Sequence, residues 1–304
     1  MTRILCTGRF ISGILLLSRL LASSLAFGQS LPKPDHIVIL FEENAAYVQI
    51  IGNKHAPHIN ALAAMPNAAV FTNFYALQHP SQPNYLMFFS GNNQGVYDDD
   101  LPRQIPFNTP NLCAELMAAG KTFKTYSEDL PKAGYKETFY ETGKASYARK
   151  HNPCMNWIGN GANQFSALVS QPFKAFPRAG NYDSLPTVSY VMPNLDHDMH
   201  NNYCGAPPCA ATIARADDWM YNNLGDLQKW AMAHNTLFIL IYDEDDDYHG
   251  NNIPVILLGP MVKGGKYDER VTPLNLLHTI ESMYGLGHAG YSATSTSISD
   301  CWVK

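Results

Sequence analysis

The sequence predicts an α/β fold built on a sheet of parallel strands, and three observations carry that expectation. Leu237-Phe-Ile-Leu-Ile241 is an unbroken apolar run, which fits a strand buried on both faces beneath helices. Apolar strand-like runs alternate with helical segments from His36 to Tyr284. Polar clusters follow the carboxyl ends of several of these runs, which is where open parallel sheets carry their sites.

The chain has 304 residues, 46% hydrophobic and 15% charged, so a sizeable core is available and disorder is excluded. Its first residues stand apart. Arg3 and Arg9 precede Ile11-Ser-Gly-Ile-Leu-Leu-Leu17, and small residues follow from Ala22 to Ala26. This pattern predicts a cleaved signal peptide over residues 1–29, a single domain over 30–304, and a secreted or periplasmic product. Arg19 interrupts the apolar stretch, and no later segment is long and apolar enough to span a bilayer. Removing the leader, with its three arginines and no acids, takes the formal charge from −5 to −8. A net-negative chain excludes nucleic acid as a partner, because phosphate contacts need clustered Lys and Arg. Five cysteines remain, and Cys204 and Cys209 bracket a Gly-Ala-Pro-Pro turn that can close a small disulfide loop. Cys113 with Cys154 is a possible second pair. No paired C-x-x-C spacing points to a zinc site.

Taken in order, His36 to Phe41 is the first buried strand, and it delivers Glu42-Glu43-Asn44 at its end. By itself that cluster reads as strand exit and helix capping. His58 to Met65 is a short helix stopped by Pro66, and Val70 to Tyr75 a second strand-like run. Next comes Gln78-His-Pro-Ser-Gln-Pro-Asn-Tyr85, where two prolines flank Ser81 and suit the start of a helix. A helix N-terminus favours anions, so Ser81 is a candidate nucleophile as well as an ordinary capping serine. It is not in a Gly-x-Ser-x-Gly elbow, which disfavours an α/β-hydrolase.

Asn111 to Gly120 reads as a helix with Gly120 as its stop, and Lys121 to Tyr126 as an alternating strand. Residues 132–180 are loop-rich and hold a compact basic cluster, Arg149-Lys-His151, suited to an anionic substrate or simply to solvent. Thr187 to Met192 is a strand that ends in Pro193-Asn-Leu-Asp-His-Asp-Met-His200. Ala211 to His234 is a long amphipathic helix with Ile213, Met220, Leu224, Leu227 and Ala231 as its stripe. It returns the chain to the Leu237 run, which discharges Asp243-Glu-Asp-Asp-Asp247. Asp243 and Glu244, nearest the strand, are metal-ligand candidates, whereas Asp245 to Asp247 read as a solvated loop. An EF-hand is excluded, since Tyr248 falls where Gly is needed and Pro254 where the bidentate Glu is needed. Ile253 to Pro260 is another buried strand. Thr272 to Tyr284 is a helix capped by Thr272 and stopped by Gly285, and the tail from Ser292 to Ser299 is irregular.

Hard oxygen donors, a serine and histidines at four strand ends suggest metal-assisted attack on a phosphoryl centre. The segments that carry these residues resemble a known family. His36-Ile-Val-Ile-Leu-Phe-Glu-Glu-Asn44, His79-Pro-Ser-Gln-Pro-Asn-Tyr85, Lys150-His-Asn-Pro153, Pro193 to His200 and Tyr242-Asp-Glu-Asp-Asp246 are similar to motifs of bacterial acid phosphatases and phospholipases C. That is the phosphoesterase family, and the similarity spans about residues 35 to 285.

The resemblance implies a three-layer α/β/α sandwich, alkaline-phosphatase-like, and a phosphoserine intermediate on Ser81. It implies a divalent metal on Glu43, Asn44, Ser81, Asp243 and Glu244. Magnesium, calcium or manganese suits oxygen donors, and a histidine in the shell admits zinc or iron. His151 and His200 match catalytic histidines near the phosphate, and His79, Asn84, Lys150 and His197 are the substrate-binding candidates. The acidic pair is Asp243-Glu244 where the family has two aspartates. The chain is short for the family, which favours a phosphomonoesterase over a phospholipase C-type diesterase. The expected substrate is a small phosphate ester or a phospholipid. A secreted binding protein on the same fold is the alternative from another class. A sulfatase is disfavoured, because Ser81-Gln-Pro-Asn-Tyr85 lacks the arginine of a formylglycine segment.

Overall fold

The computed structural model describes Met1 and residues 31–142, 145–202, 204 and 208–303, and the expected leader beyond Met1 lies outside them. Residues 31–304 form one compact unit. The sheet strands are β1 (His36–Glu42), β2 (Ala68–Phe71), β3 (Phe123–Ser127), β6 (Ser170–Pro172), β7 (Val188–Met192), β8 (Thr236–Tyr242), β9 (Val255–Leu258) and β10 (Gly265–Tyr267). β4 (Phe139–Thr142) and β5 (Ala145–Ala148) form a separate antiparallel hairpin. The helices are α1 (Tyr47–Ile50), α2 (Pro57–Ala63), α3 (Ser81–Ser90), α4 (Leu112–Ala118), α5 (Ala210–Ala231) and α6 (Pro273–Tyr284).

The eight-stranded sheet runs β10-β2-β9-β8-β1-β7-β3-β6. β1 is its centre, parallel to both β7 and β8, and Glu42 pairs with Tyr242 at the carboxyl end. All seven residues of β8 are buried, as its unbroken apolar run requires. Each fully buried large apolar side chain there contributes about 1.5–3 kcal/mol relative to exposure.

One strand departs from the parallel expectation. β9 runs antiparallel to β8 and to β2. The reason is the connection: residues 243–254 contain no helix, so the chain turns back at the same edge. The run expected to continue to Tyr75 leaves the ladder after Phe71, with only isolated bridges at Phe74 and Tyr75.

Side chains alternate across β1 and so separate the helix layers. Phe41 packs its ring on Tyr85 and Phe88 of α3, with centroids 5.3 and 5.2 Å away. Glu42, the next residue, points to the opposite face and is fully buried. α3, α4 and α6 pack together, as do α2 and α5, giving helices on both faces of the sheet. Asn111 caps α4 by accepting the Ala114 N–H at 3.0 Å. α3 ends at Gly91, where φ is +66° and a Cβ would lie 1.9 Å from the Ala289 carbonyl oxygen, so only glycine fits.

Among the described residues the cysteines divide as one bond and three thiols. Cys204 and Cys209 form a disulfide. Cys113 and Cys154 do not pair, contrary to that expectation. They sit on α4 and after β5, buried in the core, where Cys113 meets Met117 and Cys154 meets Asn152 and Thr125. Cys301 is also a buried thiol. No helix among the described residues is long and apolar enough to cross a membrane.

Candidate active site

Parallel neighbours put their carboxyl ends on one edge, and this sheet does so for β1, β8 and β7. Glu43 leaves β1 on the side that Phe41 faces, toward α3. Ser81 is the first residue of α3 and is 2% exposed. Its hydroxyl donates to Glu43 Oε2 at 2.9 Å and lies 3.2 Å from Glu244 Oε1. A hydroxyl carries one proton, so the two carboxylates share it. Asp243 Oδ1 accepts the Glu244 N–H at 2.7 Å and the Asn44 N–H at 3.3 Å. That brings Glu43, Ser81, Asp243 and Glu244 to one place, with Asn44 attached through its backbone at φ +49°.

The histidines divide. His151 is 3% exposed and lies between two carboxylates, with Nε2 3.0 Å from Glu43 Oε1 and Nδ1 3.2 Å from Asp198 Oδ2, neither approach making a hydrogen bond. Its ring stacks on Tyr85 at 5.1 Å, and Tyr85 donates its hydroxyl to Glu43 Oε1 at 2.8 Å. His200 stands 5.5 Å from His151 between ring centroids, and its Nε2 is 3.1 Å from Lys150 Nζ. Lys150 Nζ also pairs with Asp99 at 2.6 Å.

Three expected substrate contacts have protein partners, two of them through Glu244 of the site itself. His79 faces carboxylates, 3.1 Å from Glu244, 3.3 Å from Asp245 and 3.3 Å from Asp247. Asn84 is 3% exposed and braces the turn before α3, accepting from the Leu77 and Gln78 N–H groups and donating to the Gln78 carbonyl and Glu244. His197 is held by Glu128 at 2.9 Å and packs near Trp219. The loop after Glu244 also differs from its solvated expectation. Asp245 and Asp246 are 2% and 8% exposed, because they accept from the backbone of their own loop and from Gln49 and His249. Only Asp247 faces water.

Electrostatics follow from this burial. Desolvation raises the carboxyls of Glu43, Asp243, Glu244 and Asp198, and neighbouring acids push Glu43 and Asp243 further. His79 pulls Glu244 the other way and is itself raised to about 9, chiefly by the Glu244 hydrogen bond. Burial, then the Lys150 charge, lowers His151 well below its ordinary value and His200 to about 4.

The donor set fits a hard divalent cation. Asp243 Oδ2 is buried without a hydrogen-bond partner, and the converging groups around Ser81 are oxygens. Glu43, His151 and His200 also bring one ligand atom each within 4.8 Å of one another, which is the grouping a softer ion would use.

Sequence reasoning missed Tyr85, Asp198 and Asp99. The first two lay inside quoted motifs, and Tyr85 is four residues after Ser81, on the same face of a helix. Asp99 carried no signal, since it is one of three consecutive aspartates.

Comparison with known proteins agrees with the geometry. A family model described as Phosphoesterase family matches residues 53–287. The chain is 41% identical over 273 residues to the phosphatidylinositol-3-phosphatase of Mycobacterium tuberculosis, covering 90% of this chain and 84% of that protein. It is 30% identical to a probable acid phosphatase of Kluyveromyces lactis, covering 83% of this chain but 58% of the yeast protein. An alkaline phosphatase superfamily protein from Vibrio parahaemolyticus shares the fold with a TM-score of 0.59 at 15% identity, over 89% of this chain and 71% of that one. The lipoteichoic acid synthase of Listeria monocytogenes does so with a TM-score of 0.54 at 10% identity, over 91% and 78%.

Proposed function

We propose, for a chain that belongs to the Phosphoesterase family and is a hydrolase of phosphate esters, that it is a metal-dependent phosphomonoesterase working through a phosphoserine on Ser81. The observation that carries this reading is the Ser81 hydroxyl shared between Glu43 and Glu244 at the N-terminus of α3. The names of the relatives support a monoester over a diester, since phosphatidylinositol-3-phosphatase and acid phosphatase both denote monoesterases.

Glu43, Asn44, Ser81, Asp243 and Glu244 would hold the divalent ion. When bound, it lowers the hydroxyl pKa of Ser81 and offsets charge on the phosphoryl oxygens. Glu43 or Glu244 takes the hydroxyl proton as Ser81 Oγ forms its bond to phosphorus and the ester P–O bond breaks. Lys150 and the backbone N–H of Ser81, at the start of α3, receive the phosphoryl oxygens. His200, protonated in acid, gives the leaving alcohol its proton, and the Tyr85 hydroxyl, its ring stacked on His151, holds Glu43 in place. Water then cleaves the Ser81–phosphate ester. Leu101 and Phe139 line a pocket of about 100 Å³ beside Lys150, suited to an apolar leaving group.

Export is part of the proposal. The leader pattern and the Cys204–Cys209 disulfide support an oxidising compartment.

The test is phosphate release from p-nitrophenyl phosphate and from phosphatidylinositol 3-phosphate, beside bis-p-nitrophenyl phosphate, with and without chelator. Chelator-sensitive release from the monoesters, absent in Ser81→Ala, is the expected result. Turnover of the diester alone would replace the monoesterase reading with a phospholipase C type. Metal binding without turnover of any substrate would favour a binding protein.

A further inference from the structure

Lys150 has a partner that the reaction does not explain. Asp99 lies 51 residues earlier in the chain, yet its Oδ2 is 2.6 Å from Lys150 Nζ. Its other oxygen accepts the Gln82 N–H at 3.0 Å, the backbone donor next to Ser81. One carboxylate therefore ties Lys150 to the first turn of α3.

The loop around Asp99 is anchored to the same helix. The Gln82 side chain is 3% exposed and donates to the carbonyls of Asp98 at 2.9 Å and Asp100 at 2.7 Å. These two bonds grip the backbone on either side of Asp99. The side chain of Asp99 is fixed at both oxygens and its backbone at both neighbours, so the loop is part of the α3 N-terminus. A carboxylate destined to leave when phosphate arrives would not need such anchoring.

We propose that Asp99 is a positioning residue for Lys150, holding the ammonium over the first turn of α3 so that it meets a phosphoryl oxygen at Ser81. This rests on the phosphatase reading above. Lys150 would otherwise be a flexible side chain whose ordering costs binding energy, and the Asp99 pair removes that cost in advance. Its other neighbour, His200, contributes no negative charge. Burial disfavours the ammonium, and Glu43 and then Asp99 more than compensate, so Lys150 stays charged.

The experiment compares Asp99→Asn, Lys150→Met, the double variant and Asp100→Asn, using p-nitrophenyl phosphate turnover and inhibition by inorganic phosphate. Asparagine keeps an acceptor for the Gln82 N–H but presents no charge to Lys150. KM and the phosphate inhibition constant should rise together by about fivefold or more in Asp99→Asn, with little change in kcat. In the Lys150→Met background the same substitution should change neither constant. Asp100 has an adjacent charge that does not touch Lys150, so Asp100→Asn should match the wild type. Independent, multiplying losses in the double variant would overturn the proposal, because Asp99 would then act without Lys150. Tighter phosphate inhibition in Asp99→Asn would also overturn it, showing a carboxylate that competes with phosphate. An equal effect from Asp100→Asn would replace positioning with a general acidic field. Absence of turnover in the wild type would remove the phosphatase reading itself, whereas wild-type turnover with an unaltered Asp99→Asn removes only the role of Asp99.

Discussion

Ser81 Oγ stands 2.9 Å from Glu43 Oε2, although one residue opens α3 and the other follows β1, 38 positions earlier. The contact joins a helix N-terminus to a strand's carboxyl end. Removing the hydroxyl removes the proposed nucleophile while leaving the helix start intact. Ser81→Ala should lose phosphate release by about 10³-fold or more. Its melting temperature should hold within roughly 5 °C of the wild type. Steady-state kinetics and a thermal melt on the same preparation check both.

Tyr85 stacks on His151 and bonds Glu43, so it links the acid to the histidine. Tyr85→Phe keeps the ring and deletes the hydroxyl. Metal affinity should fall by about 10- to 100-fold, as for other groups that orient a ligand from behind. Isothermal titration with manganese or calcium would measure it.

Asp243 and Glu244 are predicted to hold the cation. The double variant Asp243→Asn, Glu244→Gln should purify with less metal than the wild type and lose turnover. Elemental analysis alongside activity decides this. Unchanged metal content would remove both residues from the ligand set.

His200 is lowered to about 4 by burial and then by the Lys150 charge. Above that pH its ring is neutral, so kcat should fall as pH rises through this region if His200 protonates the leaving group. Lys150→Met removes the repelling charge, and the fall should then move to higher pH. The sign for stability is separate. Between about 4 and the ordinary value of 6.5, the unfolded chain binds more protons at this ring than the native one. Stability should therefore drop as pH falls through that window.

Glu281 gives the opposite slope. It is fully buried on α6, accepts from the Ala289 N–H and the Ser292 hydroxyl, and is raised to about 8, chiefly by burial. The native carboxyl keeps its proton where the unfolded one, near 4.5, has lost it. The stability it contributes is present below 4.5 and is lost as pH rises through about 8. Glu281→Gln should flatten that alkaline loss, raising the melting temperature at pH 8 relative to the wild type by roughly 5 °C. Melts at pH 5 and pH 8 would measure the difference.

The sequence by itself determined the sheet and much of the edge that bears the site. Unbroken apolar runs such as 237–241 can be stable only where both faces are covered, and the charges that follow them must emerge at strand ends. Asp243 and Glu244 stood out for that reason, Ser81 through the prolines that flank it at a helix start, and Glu43 through the family resemblance alone. The direction of β9 was not, because it depends on whether residues 243–254 form a helix. The company of each polar side chain was decided only in the folded chain. His79, Asn84 and His197 have the chemistry to meet phosphate, yet Glu244, the turn before α3 and Glu128 hold them. Asp99 looks like its two neighbours in the sequence and is distinguished by a 2.6 Å contact across 51 residues. A residue's type limits what it can bind, but hydrogen bonds and ion pairs act over about 3 Å, and only the tertiary fold sets which partners come that close.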